Sequence, residues 1–493
     1  MEALSALSGA SAEELRGAQL ETLFRAIDGV SFESAPLVTS LVGRAFEGEG
    51  GLEALRSSSV LPYVVRGLEH PDEVVRSQTI VLLVRFATSA ADLALLRSRD
   101  VLPIIAAAVG DRSLKVSQSA ATFFEAAAAA GAEQLRALLD APTVHALLAL
   151  SEKAEALRLR AAALAAEMAA KGDTQFALCV VDLGLLAPLL ELWRAGDPLV
   201  RINVIEVFGT LARCPSGFAW LRSTGVSSEL CHLVDCDEGD DVVVALQRPS
   251  ALHCLAELVE GGRAPGLLDE ERLVERVWPL LTAAAAAGEH SSALALLRAA
   301  ASTPGGAAQV LRRGVEGVQP LPRLMRSHDE RTKVGAFSVA AQLCATAASG
   351  NVELPPLLPA LQAIIAGAAT SPSTTAADAA AQLASQSFSD GLRSAALQLL
   401  LALAALSWGA VALATSESTL ELLLGGATAF PVGPPELRQK HAVARALLEV
   451  PAARDALAAQ PPLLEQLEAY VVAGPFAPQR SRNTARMAAP LTL

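Results

Sequence analysis

A short phrase returns along this chain at the spacing of a helical repeat, and that return limits the possible folds more than any bulk property does. Leu55-Arg56-Ser57-Ser58-Ser59-Val60-Leu61-Pro62 comes back 41 positions later as Leu96-Arg97-Ser98-Arg99-Asp100-Val101-Leu102-Pro103. A weaker copy, Leu221-Arg222-Ser223-Thr224-Gly225-Val226, follows after 125 more positions, close to three further periods. A second element recurs beside it: a turn carrying an acid, then an apolar residue and usually a base. It reads His70-Pro71-Asp72-Glu73-Val74-Val75-Arg76, then Gly110-Asp111-Arg112-Ser113-Leu114-Lys115, Glu155-Ala156-Leu157-Arg158, Gly196-Asp197-Pro198-Leu199-Val200-Arg201 and His328-Asp329-Glu330-Arg331-Thr332-Lys333. Its basic positions step by 39, 43 and 43, and then by 132, three steps of 44.

Periods of about 40–47 residues mark armadillo and HEAT arrays, whose units bury their apolar faces only against their neighbours. The chain has 493 residues, too many for one compact core, so a long stack or several domains is expected. It is 52% hydrophobic but only 4% aromatic, with Ala and Leu dominating, a composition that favours helices over strands. The predicted fold is therefore all-α, an armadillo/HEAT-like α-solenoid wound as a right-handed superhelix of helical repeats. Its boundaries are read as N-terminal capping helices over 1–50, a repeat array over 51–475 and a disordered tail over 476–493. The tail holds Arg480, Arg482 and Arg486 and no acid.

Several local features refine this. Ser11-Ala12-Glu13-Glu14 has capping-box spacing ahead of an apolar run through Leu15, Leu20, Leu23 and Phe24. Gly48, Gly50 and Gly51 are expected to loosen the chain before the clear repeats begin. Asp72, Asp111, Asp197 and Asp329 stand where a carboxylate accepts from free amides and meets the positive end of a helix dipole. Pro71 and Pro198 suit a first turn, which needs no intrahelical donor. The run Asp235-Cys236-Asp237-Glu238-Gly239-Asp240-Asp241 is an acidic turn, and Thr370-Ser371-Pro372-Ser373-Thr374-Thr375 is a candidate mobile loop.

Charge and cysteine usage exclude some functions. A net charge of −13 repels phosphate backbones, so nucleic acid is not an expected partner, whereas a basic protein surface is. The six cysteines form no disulfide framework, and acids at Glu2, Glu13 and Glu14 interrupt any secretory apolar run. The expected compartment is the reducing cytoplasm, with the nucleus as a second site. From Ser394 to Ser416 no residue is charged, a length that could cross a bilayer. Two buried helices meeting at Ser407-Trp408-Gly409 explain the run better, because Gln398 lies in it and no basic cluster flanks it.

No catalytic constellation is legible. Cys231, His232 and Cys236, with His253 and Cys254 farther on, lack the paired short spacing of a structural zinc site. Seven histidines are scattered over separate units, no serine sits in a Gly-x-Ser-x-Gly elbow, and no Gly-rich run ends in Lys-Ser/Thr. The chain is read as a non-enzyme without cofactor or metal. What such an array exposes is a concave ladder built from the last helix of each unit. By register with the recurring turn, Arg85, Glu125, Glu167, Glu206 and Thr210 are placed on that protein-binding face. Its mainly acidic character calls for basic groups on the partner. Capped solenoids are often monomeric, and the free chain is expected to be so.

The chain also resembles a known family, that of 26S proteasome non-ATPase regulatory subunit 5, from about Leu55 to Pro478. The resemblance is carried by Leu68-Glu69-His70-Pro71-Asp72-Glu73-Val74-Val75, by Gly184-Leu185-Leu186-Ala187-Pro188-Leu189-Leu190 with Asp197-Pro198-Leu199-Val200-Arg201, and by Leu221 to Val226. Nearer the end it continues through Phe388-Ser389-Asp390-Gly391-Leu392-Arg393-Ser394-Ala395-Ala396-Leu397, Trp408 and Val472-Ala473-Gly474-Pro475-Phe476. A second aromatic usual in the family is replaced by Ala477. The resemblance implies an assembly chaperone that binds the C-terminal region of one proteasomal ATPase subunit. It would help join the ATPase ring of the regulatory particle to a large non-ATPase scaffold subunit, and leave before the mature particle forms. Two other readings are an armadillo adaptor for different protein cargo and a membrane-associated helical protein. Trp193, Trp220, Trp278 and Trp408 fall outside the groove positions that an import adaptor of this kind would use.

Overall fold

The structure, a computed structural model, describes residues 10–16, 35–56, 61–235, 242–260, 264, 266–282, 287–316, 319–350, 354–369, 374–425 and 433–476. Among the described residues there are helices and turns and no strand. The chain divides into two compact units, Met1–Thr224 and Gly225–Leu493. Each is an armadillo/HEAT-like stack in which every repeat contributes a long spine helix and shorter helices outside it.

In the first unit the spine helices are α1 (Ala35–Ala45), α2 (Glu73–Leu83), α3 (Leu114–Ala130), α4 (Glu155–Ala169) and α5 (Pro198–Leu211), each packed on the next. A second layer stacks Leu61–Leu68, Val101–Ala108 and Ala141–Leu150, and a third stacks Ala90–Arg97, Ala132–Leu138, Asp173–Phe176 and Pro215–Ser223. In the second unit the spine is α6 (Val242–Val259), α7 (Ala287–Ala301), α8 (Glu330–Ala348), α9 (Asp390–Ala404) and α10 (Pro434–Glu449). The returning Val-Leu-Pro phrase opens a second-layer helix, with Val101 and Leu102 fully buried against its neighbours. Proline is harmless there, since the first-turn amides have no partner inside the helix.

Capping explains where the spine helices start. Asp72, Asp197 and Asp329 are N-caps whose carboxylates accept from the amides of Val74 at 2.8 Å, Leu199 at 2.8 Å and Thr332 at 2.7 Å. Asp111 departs from the expectation, because Ser113 takes the cap position of α3 and Asp111 accepts from the Ser113 amide one step earlier. Pro198 occupies the first turn of α5, while Pro71 precedes the cap of α2. Ser11 and Glu14 exchange the two capping-box hydrogen bonds at 2.7 and 3.3 Å, and Leu15 is buried.

Two sequence expectations need correction. Gly48, Gly50 and Gly51 do not loosen the chain but lie in a helix, Gly48–Arg56. Gly51 packs so tightly that a Cβ would stand 2.2 Å from the Phe46 carbonyl, a contact no other residue type could make. The uncharged run does fold as two helices, α9 and Ser407–Thr415, bent by 117°, but the break falls at Ala405-Leu406, just ahead of the expected turn. Among the described residues α6 alone is a single helix long and apolar enough to cross a membrane. Its buried Arg248 is paired with Glu289 at 3.0 Å. Leu20, Leu23, Phe24, the acidic stretch 236–241, loop residues 370–373 and the tail from Ala477 lie outside the described residues. Thr375 opens the helix Ala376–Gln386 through a reciprocal capping box with Asp378.

Candidate functional site

One base of the recurring turn, Arg76, is a clasp between repeats. Arg76 lies at the start of α2 and donates to the carbonyls of His70 and Pro71, both at 2.8 Å, closing its own turn. Its other nitrogens grip Asp111 of the next repeat at 2.9 and 3.0 Å. Burial opposes ionisation of Asp111, but the Arg76 guanidinium and the Ser113 amide outweigh it and hold the carboxyl below its usual range. The same construction reappears in the second unit. Arg393 donates to the carbonyls of Ser387 and Phe388 at 3.0 and 3.1 Å and reaches Glu436 of the following repeat at 3.0 Å. Arg248 donates to the carbonyls of Leu233 and Asp235 and to Glu289. A bidentate guanidinium suits this work, since its planar fork holds a carboxylate and backbone oxygens together. Arg201 departs from it and lies over Trp193, 4.1 Å from the ring centroid.

The face expected to bind protein runs along the spine helices of the first unit. The five residues expected there fall on consecutive members of the spine. Arg85 lies in the 3-10 turn Val84–Thr88 that continues α2, Glu125 on α3, Glu167 on α4, and Glu206 and Thr210 on α5. The structure brings the middle members together. Burial and the nearby Glu167 carboxylate push Glu125 above the usual carboxylate range, with Lys171 opposing. Glu167 takes Arg213 at 3.4 Å and Lys171 at 3.9 Å. Glu206 is exposed and shares a helix face with Thr210. Arg85 is engaged differently, donating to the carbonyls of Phe46 at 3.1 Å and Gly48 at 2.8 Å, so it secures the N-terminal helices.

Sequence reasoning missed a groove of about 580 Å3 across α1, α2 and α3, lined by Ser40, Gly43, Val74, Gln78 and Lys115 among others. Its signal was present in Val74 and Lys115, the apolar and basic members of the recurring turn. The second unit has a smaller trough of about 270 Å3 across α6, α7 and α8, lined by Ala295, Gly335 and Ser338 among others.

The cysteines offer no chemistry at these faces. Cys179, Cys214, Cys231, Cys254 and Cys344 are buried and free, and burial pushes the Cys231 thiol up to about 12. His253 meets Ser292 at 3.2 Å rather than a ligand set, and Cys236 lies outside the described residues. Among the described residues no three His, Cys, Asp or Glu side chains converge as a metal site would require. The four tryptophans all sit on helices outside the two spines.

The 26S proteasome non-ATPase regulatory subunit 5 proteins of Mus musculus and Homo sapiens are each 25% identical to this chain over 224 residues, which is 45% of this chain and 43% of theirs. The matched stretch thus spans less than half the length of these curated relatives. Among solved structures, an engineered protein aligns with 84% of this chain and 98% of its own at 16% identity and a TM-score of 0.41. A Kap121p mutant aligns with 92% of this chain and 49% of its own at 14% identity and a TM-score of 0.43. The family described as Proteasome non-ATPase 26S subunit matches residues 8–277, more than half of the chain and the whole ladder from Arg85 to Thr210, and the chain belongs to that family.

Proposed function

We propose that this protein is an assembly chaperone for the base of the 26S proteasome regulatory particle, acting without catalysis. The observation that carries the reading is that residues 8–277, the part matching the family, contain the complete ladder of the first unit. In this reading the ladder holds the C-terminal region of one ATPase subunit while the ring is joined to a large non-ATPase scaffold subunit. The chaperone then departs, working in the cytoplasm and, where proteasomes assemble there, in the nucleus.

The chemistry of the face suits a temporary embrace. Glu206 is exposed and Glu125 half-buried, while Glu167 already pairs with Arg213 and Lys171, so the face meets a partner with mixed charge that guides encounter more than it tightens the final complex. Such contacts weaken as salt screens them, with a Debye length of about 8 Å at physiological ionic strength. Release then needs only a competing surface. A bulky solenoid on an ATPase would also obstruct docking of the ring onto the proteolytic core, so departure and maturation would be coupled. The test is affinity purification of the tagged chain from cells. Co-purification of regulatory-particle ATPases without the proteolytic core is the expected result. Retention of the chain in docked, active holoenzyme, or recovery of unrelated cargo instead, would overturn the reading.

A further inference from the structure

Among the helices outside the second unit's spine lies a cleft of about 450 Å3. It opens beside the short helix Leu267–Glu270, the start of the helix Leu273–Thr282 and the second half of Pro304–Glu316. Leu268 and Val274 give it an apolar side, and Arg272, Arg312 and Arg313 a cationic one. Its size falls within the range of ligand pockets, about 300–1,000 Å3.

Arg272 stands where an arginine is out of place. The turn into the next helix holds a left-handed residue in three other repeats: Asp100, Gly184 and Gly225, with φ of 55°, 63° and 82°. At the turn into Leu273–Thr282 the chain has Arg272 instead, at φ 51°. Glycine takes this conformation freely and aspartate tolerates it, whereas a long side chain holds it only under strain. Strain of this kind gathers at binding sites.

The charges in the cleft do not cancel. Three guanidinium groups share it with two carboxylates, and both carboxylates are engaged. Asp269 accepts from the side-chain amide of Gln309 at 2.5 Å, and Glu275 pairs with Arg272. That pair is exposed, 71% on the arginine side and 48% on the other, so Arg272 exchanges it readily for another carboxylate. Arg312 is exposed and makes no hydrogen bond or ion pair among the described residues. The result is a locally positive cleft on a chain that carries −13.

We propose that this cleft binds the C-terminal residue of a partner protein. An apolar last side chain lies against Leu268 and Val274, and the free carboxylate sits on Arg272 and Arg312. A chain end carries an apolar group and a carboxylate on one residue, which neither an aspartate within a chain nor an inorganic anion does. The planar fork of one guanidinium takes both carboxylate oxygens, and the second guanidinium covers the lone pairs left over. The site is apart from the ladder and does not rest on the assembly reading.

The test uses the full chain and a short fluorescent peptide of glycine and serine that ends in leucine with a free carboxylate. Binding is read by anisotropy at low ionic strength. Amidating the end of the peptide should weaken binding about tenfold, the loss expected for charge-assisted hydrogen bonds. Replacing the final leucine with serine should weaken it about fivefold. Moving the carboxylate to an internal aspartate, with the end amidated, should not restore it. Arg272→Gly removes the guanidinium and suits the backbone, so affinity should fall about tenfold with little change in thermal midpoint. Arg312→Ala, on an exposed helix face, covers the case in which the turn is disturbed and should cost about fivefold. No binding by the wild-type chain, equal affinity for the amidated peptide, full binding of the internal-aspartate peptide, or indifference to both arginine substitutions would each overturn the proposal.

Discussion

The two units share one construction and fill it differently. Between the spine helices of the first, large rings take up the space: Phe86, Phe123, Phe124, Trp193 and Phe208 are all fully buried, and Trp193 meets Phe208 edge-on with centroids 5.4 Å apart. In the second, Ala293, Ala300, Ala336, Ala340 and Ala396 do the same work, and Phe337 is the one aromatic among the largest fully buried side chains. Small residues let α7 and α8 approach so closely that a Cβ at Gly335 would stand 3.0 Å from that of Leu294. What both keep is the arginine clasp, Arg76 to Asp111 in one and Arg393 to Glu436 in the other. A directional polar contact of one kind thus joins neighbouring repeats in each unit, while the apolar filling around it differs. A unit filled by rings should fail by cavities, and one filled by alanines should fail by crowding.

Substitutions can break that comparison. The largest effect is expected from Phe208→Ala, which should destabilise the first unit by about 3–5 kcal/mol through an unfilled cavity. Trp193 and Trp220 report on that unit and Trp278 and Trp408 on the other, so fluorescence-detected denaturation of single-unit tryptophan variants locates the loss. Glu436→Ala strands the buried Arg393 guanidinium, which keeps only backbone carbonyls and the exposed Asp390. A loss of about 3 kcal/mol in the second unit is expected, and one no larger than that from breaking the exposed pair of Arg454 with Glu468, 2.6 Å apart, would refute the clasp. Gly335→Val should cost about 1–3 kcal/mol by overpacking against Leu294. A neutral result there would show that the helices of the second unit have room to part. Asp72→Ala removes the cap of α2 and should cost about 1 kcal/mol, measured in the same way.

The smallest effects are electrostatic, and their signs oppose each other. Asp111 has a lowered folded value, so its stabilisation is present above the ordinary carboxyl value near 3.8 and is lost as pH falls through the folded one. Asp111→Asn should flatten the acid limb of the stability profile. Glu125 has a raised folded value, so the folded state takes up its proton more readily than the unfolded chain does. Its penalty is present at neutral pH and relieved as pH drops through that folded value. Glu125→Gln should therefore stabilise the first unit slightly at neutral pH, and a loss of stability there would contradict the placement beside Glu167.

Much of the architecture was legible because repeats write their period into local chemistry. Asp72, Asp197 and Asp329 could be read as caps, since a cap acts on amides two or three residues away. Arg76 and Arg393 could not be read as clasps, because their carboxylate partners lie 35 and 43 residues on, in the next repeat. For the same reason Asp111 looked like another cap, when its principal partner comes from the preceding repeat. Gly51 was misread because its demand is steric and tertiary: only the fold puts the Phe46 backbone against it. The ladder residues were placed by counting from the turn; the count puts Glu125, Glu167, Glu206 and Thr210 on spine helices and Arg85 in the 3-10 turn after α2, bonded to the N-terminal helices. The division after Thr224 left no mark in composition, since the returning phrase runs straight across it.

In the proposed function the first unit's ladder is where a proteasomal ATPase docks. Site-specific photocrosslinking in cells tests it most directly, with a photoreactive amino acid placed at the position of Glu167, of Glu206 or, on the second unit's exposed spine, of Gln398. Crosslinks to a regulatory-particle ATPase are expected from the first two positions and none from the third. Crosslinks from Gln398 alone, or ATPase-free crosslinks at Glu167 and Glu206, would contradict it.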